Sequence, residues 1–220
     1  MTADVLVIGG GSAGLAAAVT AARSGAVTVL VERHGMLGGM GTASLVHTFC
    51  GLYLLDGDRP EIANPGIAAE VAERMQRAAG VVPVKMGRCW VLPQHPVEFA
   101  SLADGMVAEA GVEVLFHSEL VALEEGWRAR VMCRGESLEI KARSLIDTSG
   151  DAVVAAMLGG ADLRAPSERL QRPAYVCGVL GVEGELNSLA LSGRLVEGWR
   201  AGVLPKAALG MHFRMSGRQG

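Results

Sequence analysis

The chain opens with an apolar run, a glycine-rich turn, a run of small residues and a second apolar run. Residues 4–8, DVLVI, are apolar after their first position, which is typical of a parallel strand buried on both faces. Residues 12–23 are rich in alanine and predict a helix, and residues 27–31 predict a second buried strand that Glu32 closes. This order predicts a β–α–β unit.

The glycines between the first strand and the helix follow the pattern G-x-G-x-x-G at Gly9, Gly11 and Gly14. In this pattern the first glycine permits a tight turn, the second lets a pyrophosphate approach the backbone, and the third lets helix and sheet pack closely. The helix N-terminus adds unpaired N–H groups and a positive dipole end. Glu32, 18 residues after Gly14, suits the ribose hydroxyls of an adenosine and repels a 2′-phosphate, which disfavours NADP. A plain glycine turn in an α/β protein is the alternative.

The second half of the chain predicts shorter strands. After a helix at residues 96–110, the pattern predicts strands at 112–116, 119–123, 127–133, 138–141 and 144–147. The three in the middle are joined by short turns, so they predict an antiparallel meander. Asp151 is predicted to cap a helix over residues 152–158. A mainly helical insertion at about residues 47–110 separates the meander from the first unit.

Composition narrows the class of protein. The chain has 220 residues, of which 50% are hydrophobic and 20% charged, so it can bury a sizeable core. The formal net charge of −3 argues against nucleic acid as a partner. The uncharged run at residues 5–22 holds three consecutive glycines and lacks a basic leader, so it predicts neither a membrane span nor a signal peptide. The four cysteines form no C-x-x-C pair, which favours a reducing, cytoplasmic location.

Three ordered motifs resemble a known family. They are Val5-Leu6-Val7-Ile8-Gly9-Gly10-Gly11-Ser12-Ala13-Gly14 with Glu32, Leu37-Gly38-Gly39 with Thr42, and Ile146-Asp147-Thr148-Ser149-Gly150-Asp151. Over about residues 3–182 the chain resembles the FAD-dependent oxidoreductase family of the glutathione-reductase-type superfamily. The resemblance implies an α/β protein that binds FAD: a Rossmann-like domain with a parallel sheet and an antiparallel β-meander, then the beginning of a substrate domain.

The resemblance also implies which residues bind the cofactor. The glycine motif and Glu32 hold the pyrophosphate and ribose, the second glycine loop runs towards the flavin, Leu120 offers backbone groups to adenine, and the 148–151 turn closes over the dinucleotide. The implied set of FAD-binding residues is Gly9, Gly11, Ser12, Ala13, Gly14, Glu32, Arg33, Gly38, Gly39, Met40, Thr42, Leu120, Thr148, Ser149, Gly150 and Asp151.

The family pattern predicts domains at residues 1–163 and 164–220, the second apparently incomplete. Family members normally continue into a C-terminal segment that returns to the flavin, and no such segment is recognisable here. The chain is therefore expected to be a fragment, a truncated product or one half of a two-chain enzyme. The expected activity is hydride transfer between a small-molecule substrate and flavin N5. The alternatives are a non-catalytic dinucleotide-binding subunit that needs a partner chain or second copy, and an NAD-dependent dehydrogenase that uses only the first motif.

No catalytic residue is assigned from the sequence. His47 and Cys50 are the candidates, because they follow the second glycine loop and share a face if that segment is helical. His47 would shuttle a proton, or would simply be a hydrogen-bonded residue inside the domain. Cys50 is interpreted as a buried, inert cysteine rather than a redox thiol. With Cys89 and His95 these residues match no zinc spacing, so no metal is predicted.

Overall fold

The computed structural model describes residues 1–160, 174–179, 181 and 187–211. The chain divides into two compact units, Met1–Cys177 and Gly178–Gly220. The predicted domain boundary near residue 164 lies outside the described residues.

In its described residues, the first unit contains a six-stranded sheet, a three-stranded sheet and four α-helices. The strands are β1 (Thr2–Ile8), β2 (Thr28–Val31), β3 (Thr48–Phe49), β4 (Val84–Met86), β5 (Cys89–Pro93), β6 (Glu113–Leu115), β7 (Ser118–Glu124), β8 (Arg128–Cys133) and β9 (Glu136–Asp147). The helices are α1 (Ser12–Arg23), α2 (Ile67–Ala79), α3 (Pro96–Ala110) and α4 (Val153–Met157). The predicted β–α–β unit, the helix before the meander and the meander itself are confirmed.

The larger sheet has the order β6-β2-β1-β9-β8-β7. Strands β6, β2, β1 and β9 pair in parallel, and β9, β8 and β7 pair antiparallel. From β1 the chain continues to its neighbour β2 and then to β6 at the edge of the sheet. Strand β9, later in the chain, pairs with the opposite side of β1. The direction of winding therefore reverses at β1, and ligands of open α/β sheets bind at such a reversal point.

Strand β9 corrects the prediction of two separate strands at residues 138–141 and 144–147. It is one strand of 12 residues that pairs with β8 through its first half and with β1 through its second. Lys141 joins the halves, because it pairs with Thr2 of β1 on one side and with Arg128 of β8 on the other. The meander and the parallel sheet are consequently one continuous sheet.

The segment predicted as a mainly helical insertion also contains the smaller sheet, in the order β3-β5-β4. Thr48 and Phe49 pair with Pro93 and Leu92, so the residues around them are extended. The expectation that His47 shares a helical face with its neighbour three residues later is therefore wrong. A β-branched residue and an aromatic residue favour a strand here once a partner strand is available.

Hydrophobic residues fill both faces of the larger sheet. On one face, the core includes Leu15 of α1, Met75 of α2, Phe99 of α3 and Leu30 of β2, all at most 1% exposed. On the other face, Leu6 and Ile8 of β1 belong to one core cluster with Val131 and Ile140 of the meander. Because its strands are buried on both faces, the parallel part of the sheet reads as continuous apolar runs.

The second unit is described through helix α5 (Ser188–Arg200) and a short 3-10 helix, Lys206–Gly210. The Asn187 side chain caps α5 by accepting a hydrogen bond from the backbone N–H of Ala190 at 2.9 Å. Among the helices that the structure describes, none has the length and apolar character needed to cross a membrane.

Candidate functional site

A cavity of about 390 Å³ lies where the carboxyl ends of three parallel strands meet. Ile8 pairs with Val31 on one side and with Asp147 on the other, so β1, β2 and β9 end side by side. The residues that line the cavity are Ile8, Gly9, Gly11, Val31, Glu32, Arg33, His34, Gly39, Met40, Ala43, Ser44, Ser118, Glu119, Leu120, Thr148, Ser149, Gly150, Asp151 and Val153. Its size is in the range of small-molecule sites.

Two glycines of the first loop are required by the fold itself. Gly9 has φ 101°, and a Cβ added there would lie 2.5 Å from the carbonyl oxygen of Thr148. A Cβ at Gly14 would lie 1.8 Å from the carbonyl oxygen of Gly9. Both positions therefore exclude a side chain whether or not a ligand is bound.

Gly11 differs from its two neighbours in the motif. Its backbone has φ −68° and ψ −174°, a conformation open to any residue, and a Cβ there would meet no described heavy atom within 4 Å. The folded chain alone thus gives no reason for glycine at this position. An atom of a bound ligand close to the backbone would give one.

The N-terminus of α1 opens beside Gly11. None of the described side chains caps it, and its first turn carries no acidic residue. Ser12 and Ala13, in that turn, are exposed. The first N–H groups of a 12-residue helix and its positive dipole end are therefore available to an anion.

The Glu32 carboxylate is held beside the first glycine loop. It is only 4% exposed. One carboxylate oxygen accepts a hydrogen bond from the backbone N–H of Gly10 and the other from that of His34, both at 2.7 Å. Each oxygen keeps a further lone pair, so the carboxylate is oriented and still able to accept from two hydroxyl groups.

The second glycine loop, residues 38–46, lies against the first. The N–H of Gly38 donates to the carbonyl oxygen of Gly10 at 2.8 Å. A Cβ at Gly39 would lie 2.9 Å from the Cα of Gly11, so the two backbones are in contact. Thr42 is buried inside the loop and donates to the carbonyl oxygen of Leu37 at 2.7 Å.

The turn after β9 forms the third wall of the cavity. The Thr148 hydroxyl lies 2.9 Å from the carbonyl oxygen of Ile8 and 2.8 Å from that of Gly9, to which it donates. Gly150, at φ 81°, lines the cavity in the left-handed conformation that favours glycine. The turn is therefore attached directly to the first glycine loop.

Asp147, rather than the predicted Asp151, caps α4. Its carboxylate accepts from the hydroxyl and the N–H of Ser149 at 2.7 and 3.0 Å and from the N–H of Val154 at 2.9 Å. Burial raises the pKa of Asp147, but these hydrogen bonds outweigh it and hold the pKa below its ordinary value. Asp151 fails as a cap because Ala152, between it and the helix, takes a left-handed conformation at φ 53°.

Charged groups of opposite sign face each other at the cavity. Arg33, after β2, and Asp151, in the turn after β9, form an ion pair of 3.9 Å between side chains that are 61% and 69% exposed. At that exposure the pair adds little stability. The start of β7 supplies Ser118, Glu119 and Leu120 to the wall on the meander side.

Comparison with known proteins identifies the family. Residues 4–183 match the sequence profile described as FAD dependent oxidoreductase. The chain belongs to the FAD dependent oxidoreductase family. FAD is accordingly its cofactor. No curated protein sequence matches the chain significantly.

Solved structures share the fold of this FAD dependent oxidoreductase. OxyS anhydrotetracycline hydroxylase from Streptomyces rimosus is 19% identical, with a TM-score of 0.53 over 72% of this chain and 34% of that chain. p-Nitrophenol 4-monooxygenase PnpA from Pseudomonas putida DLL-E4 is 12% identical, with a TM-score of 0.52 over 72% and 44%. The chain thus spans less than half the length of these proteins.

The residues present fit the adenosine and pyrophosphate parts of FAD. Gly11 leaves room for a group larger than hydrogen, and the free N–H groups of α1 suit a pyrophosphate. Glu32 presents oriented carboxylate oxygens, which suit the two hydroxyls of a ribose. This set of donors and acceptors suits the adenosine diphosphate part of FAD.

The structure brings most of the predicted FAD-binding residues to one cavity. Those that line it are Gly9, Gly11, Glu32, Arg33, Gly39, Met40, Leu120, Thr148, Ser149, Gly150 and Asp151. Ser12 and Ala13 adjoin the cavity in the first turn of α1, whereas Gly14, Gly38 and Thr42 lie within the two loops and hold them together. Contact of any of these residues with FAD stays a prediction.

Several residues of the site were not predicted. Gly10 orients the Glu32 carboxylate, and Ser118 donates through its N–H to the carbonyl oxygen of Glu32 at 2.9 Å. The run of three glycines was the available signal for Gly10. The carboxyl end of β6 was the signal for Ser118, because β6 is parallel to β2 and the chain leaves it beside Glu32.

His47 and Cys50 do not line the cavity. His47 is half-buried, and its carbonyl oxygen accepts from the N–H of Gln94 at 2.8 Å. Cys50 is exposed, so the interpretation as a buried cysteine is wrong, because the chain leaves β3 towards solvent there. All four cysteines are free. Within the described part of the chain, no group of three or more histidine, cysteine or acidic side chains is placed to hold a metal ion.

Proposed function

We propose that this chain forms the FAD-binding part of an oxidoreductase, with FAD held in the cavity between the two glycine loops. The observation that carries the proposal is Gly11. Neither its backbone angles nor its described surroundings require glycine, yet it stands beside the free N-terminus of α1. A pyrophosphate against this backbone accounts for both features.

Different groups of the protein bind different parts of the cofactor. The first-turn N–H groups of α1 bind the pyrophosphate, and Glu32 accepts from the ribose hydroxyls. Leu120 and its neighbours in β7 form the adenine side, while Gly39 and Met40 lead towards the flavin. When bound, FAD supplies a ring that accepts or donates hydride at N5, and we propose this transfer to or from a small-molecule substrate as the reaction.

Charge at the cavity supports backbone rather than side-chain recognition of the phosphates. Of the lining residues, Glu32, Glu119 and Asp151 are acidic, and Arg33 is the permanent cation. A dianionic pyrophosphate among these carboxylates needs a compensating positive field. The dipole and N–H groups of α1 provide it without a charged side chain.

A second candidate function is a subunit whose site is completed by another chain. Met40, at the end of the cavity assigned to the flavin, is 68% exposed. A second polypeptide, or a second copy of this chain, covering Met40 would exclude water from the ring.

A cytoplasmic location is a further proposal, supported by the four free cysteines.

The proposal is tested by FAD titration of the wild-type chain, Gly11→Val and Gly105→Val, monitored by calorimetry. Gly105 lies in α3 away from the cavity, and a Cβ there also meets no described atom within 4 Å, so it is the matched control. We expect all three proteins to fold. Wild type and Gly105→Val should bind FAD, and Gly11→Val should lose at least tenfold in affinity.

Equal FAD affinity of Gly11→Val and wild type would contradict the proposed site. Titration with NAD distinguishes the nicotinamide alternative. NAD binding that Gly11→Val abolishes, with no binding of FAD, would show that the first motif serves a nicotinamide dinucleotide instead.

A further inference from the structure

Gln94 is a polar side chain buried between the second glycine loop and the insertion. It follows the last residue of β5 and precedes α3 by two positions, and it is 1% exposed. Its neighbours Leu92 and Phe99 are 0% and 1% exposed. Burial of an amide is unfavourable unless the amide is hydrogen-bonded, so its partners reveal what the residue does.

The Gln94 amide nitrogen binds the loop at two points, one in its middle and one at its end. It donates to the carbonyl oxygen of Gly41 at 2.7 Å and also to that of Val46. The backbone N–H of Gln94 donates to the carbonyl oxygen of His47 at 2.8 Å. Three hydrogen bonds from one residue therefore attach residues 41–47 to the end of β5.

The side-chain oxygen of Gln94 is buried and has no hydrogen-bond partner among the described protein atoms. Leaving a buried acceptor without a hydrogen bond is unfavourable. The amide is thus oriented to serve the two loop carbonyls. That orientation is expected of a residue that fixes the loop rather than one that only fills the core.

Phe99 supports the same loop by contact. A Cβ added at Gly38 or at Gly41 would lie 2.9 Å from the Phe99 ring, so both glycines pack directly on it. Phe49 meets this ring edge-on, with centroids 4.8 Å apart. Gln94 and Phe99 thus both contact and support the second glycine loop.

We propose that Gln94 is a positioning residue for FAD: its amide fixes the position of the second glycine loop relative to the first. Gly39 is the point at which this loop touches Gly11. If the carbonyls of Gly41 and Val46 lose their donor, residues 39–41 can shift, and the gap that receives the pyrophosphate changes with them. The inference rests on the proposed FAD site and adds a residue that does not itself line the cavity.

Two substitutions of similar shape test the proposal. Gln94→Met removes both donors and the acceptor. Gln94→Glu places an acceptor-only carboxylate against two carbonyl oxygens at neutral pH, but its protonated form regains one donor. We would measure FAD dissociation constants from pH 8 to pH 5 for wild type and both variants, with circular dichroism as the folding control.

At pH 8 we expect both variants to bind FAD at least tenfold more weakly than wild type. On acidification Gln94→Glu should recover affinity relative to Gln94→Met, because a protonated carboxyl donates to the loop. A purely structural role would make the stability of Gln94→Glu depend on pH but leave the FAD affinity of the folded protein unchanged. Hydrogen exchange of residues 38–46 should be faster in Gln94→Met than in wild type.

The outcomes separate this inference from the proposed function. Failure of the wild-type chain to bind FAD would overturn the proposed site and this inference with it. Binding by wild type together with unchanged affinity in both variants would overturn the role of Gln94 alone. If neither variant folds, Gln94→Asn keeps the amide with a shorter reach. Wild-type affinity in that variant would equally contradict the role.

Discussion

The two glycine loops on either side of the cavity are fixed in different ways. The first is held largely by backbone contacts within a few residues, because Gly9 has a positive φ and Gly14 touches the Gly9 carbonyl oxygen. The Thr148 hydroxyl adds a contact from a distant part of the chain. The second is held by side chains from distant parts of the chain, above all Gln94 and Phe99. Their backbones meet at Gly11 and Gly39.

This difference explains why only one loop has a strong local signature. A loop whose shape follows from its own strand, turn and helix must carry its requirements in its own sequence. A loop that rests on remote side chains needs only residues small enough to fit them. The predictions below alter one loop at a time.

The largest effect is expected from the support of the second loop. Phe99→Ala removes a ring that is 1% exposed and on which both Gly38 and Gly41 pack. We expect the free energy of unfolding to fall by about 4 kcal/mol, measured by urea denaturation. Val97→Ala, in the same helix but 64% exposed, should change it by less than about 0.5 kcal/mol. Similar losses in the two variants would show that the ring is not a support.

The first loop should be sensitive to a single methyl group. In Gly14→Ala the new Cβ would lie 1.8 Å from the Gly9 carbonyl oxygen, so helix and turn must separate. We expect a loss of about 2–3 kcal/mol in unfolding free energy. Gly105→Ala, which meets no described atom within 4 Å, should instead gain about 0.5–1 kcal/mol, because alanine favours a helix. A stable Gly14→Ala protein would mean that the turn is not locally fixed.

Binding of the ribose depends on the acid between the loops. Glu32→Ala removes the acceptor and leaves the N–H groups of Gly10 and His34 without their partner. FAD affinity should fall by about 1–3 kcal/mol. Glu32→Gln keeps one acceptor oxygen and should lose less. An affinity that is equal in all three proteins by calorimetry would exclude the carboxylate from the site.

The smallest effect is expected at Asp147, in the turn that forms the third wall of the cavity, and it depends on pH. Because the pKa of Asp147 is lowered on folding from its ordinary value of 3.8, its carboxylate stabilises the fold above about pH 4. This contribution is lost as the pH falls through the lower, folded pKa. It should be on the order of 1 kcal/mol after solvent screening. Thermal melts of wild type and Asp147→Asn should differ at pH 7 and converge at acidic pH. A difference that does not depend on pH would contradict this role.

The sequence predicted the local part of the architecture. Helix α1 and helix α3 have the predicted bounds, because their apolar periodicity and the glycine turns that follow them are encoded in neighbouring residues. Glu32 was found from its spacing after Gly14. Strand β9 was divided wrongly because its two halves pair with different strands, which only the tertiary fold determines.

The residues that hold the site in place could not be predicted from the sequence, for the same reason. Gln94 lies 53 residues from Gly41, and nothing in its local sequence indicates that contact. Asp147 was placed in a recognised motif, yet its capping role rests on a hydrogen bond from the N–H of Val154, seven residues further along the chain. Sequence patterns therefore indicated which loops form the cavity, whereas the structure shows what holds them in place.

The most direct test of the account is the absorption spectrum of the purified chain after incubation with FAD and removal of the excess. The account predicts flavin absorption bands that remain with the folded protein, and release of about one FAD per chain on heating. A folded, colourless protein that retains no FAD would contradict the claim that these residues form the FAD site.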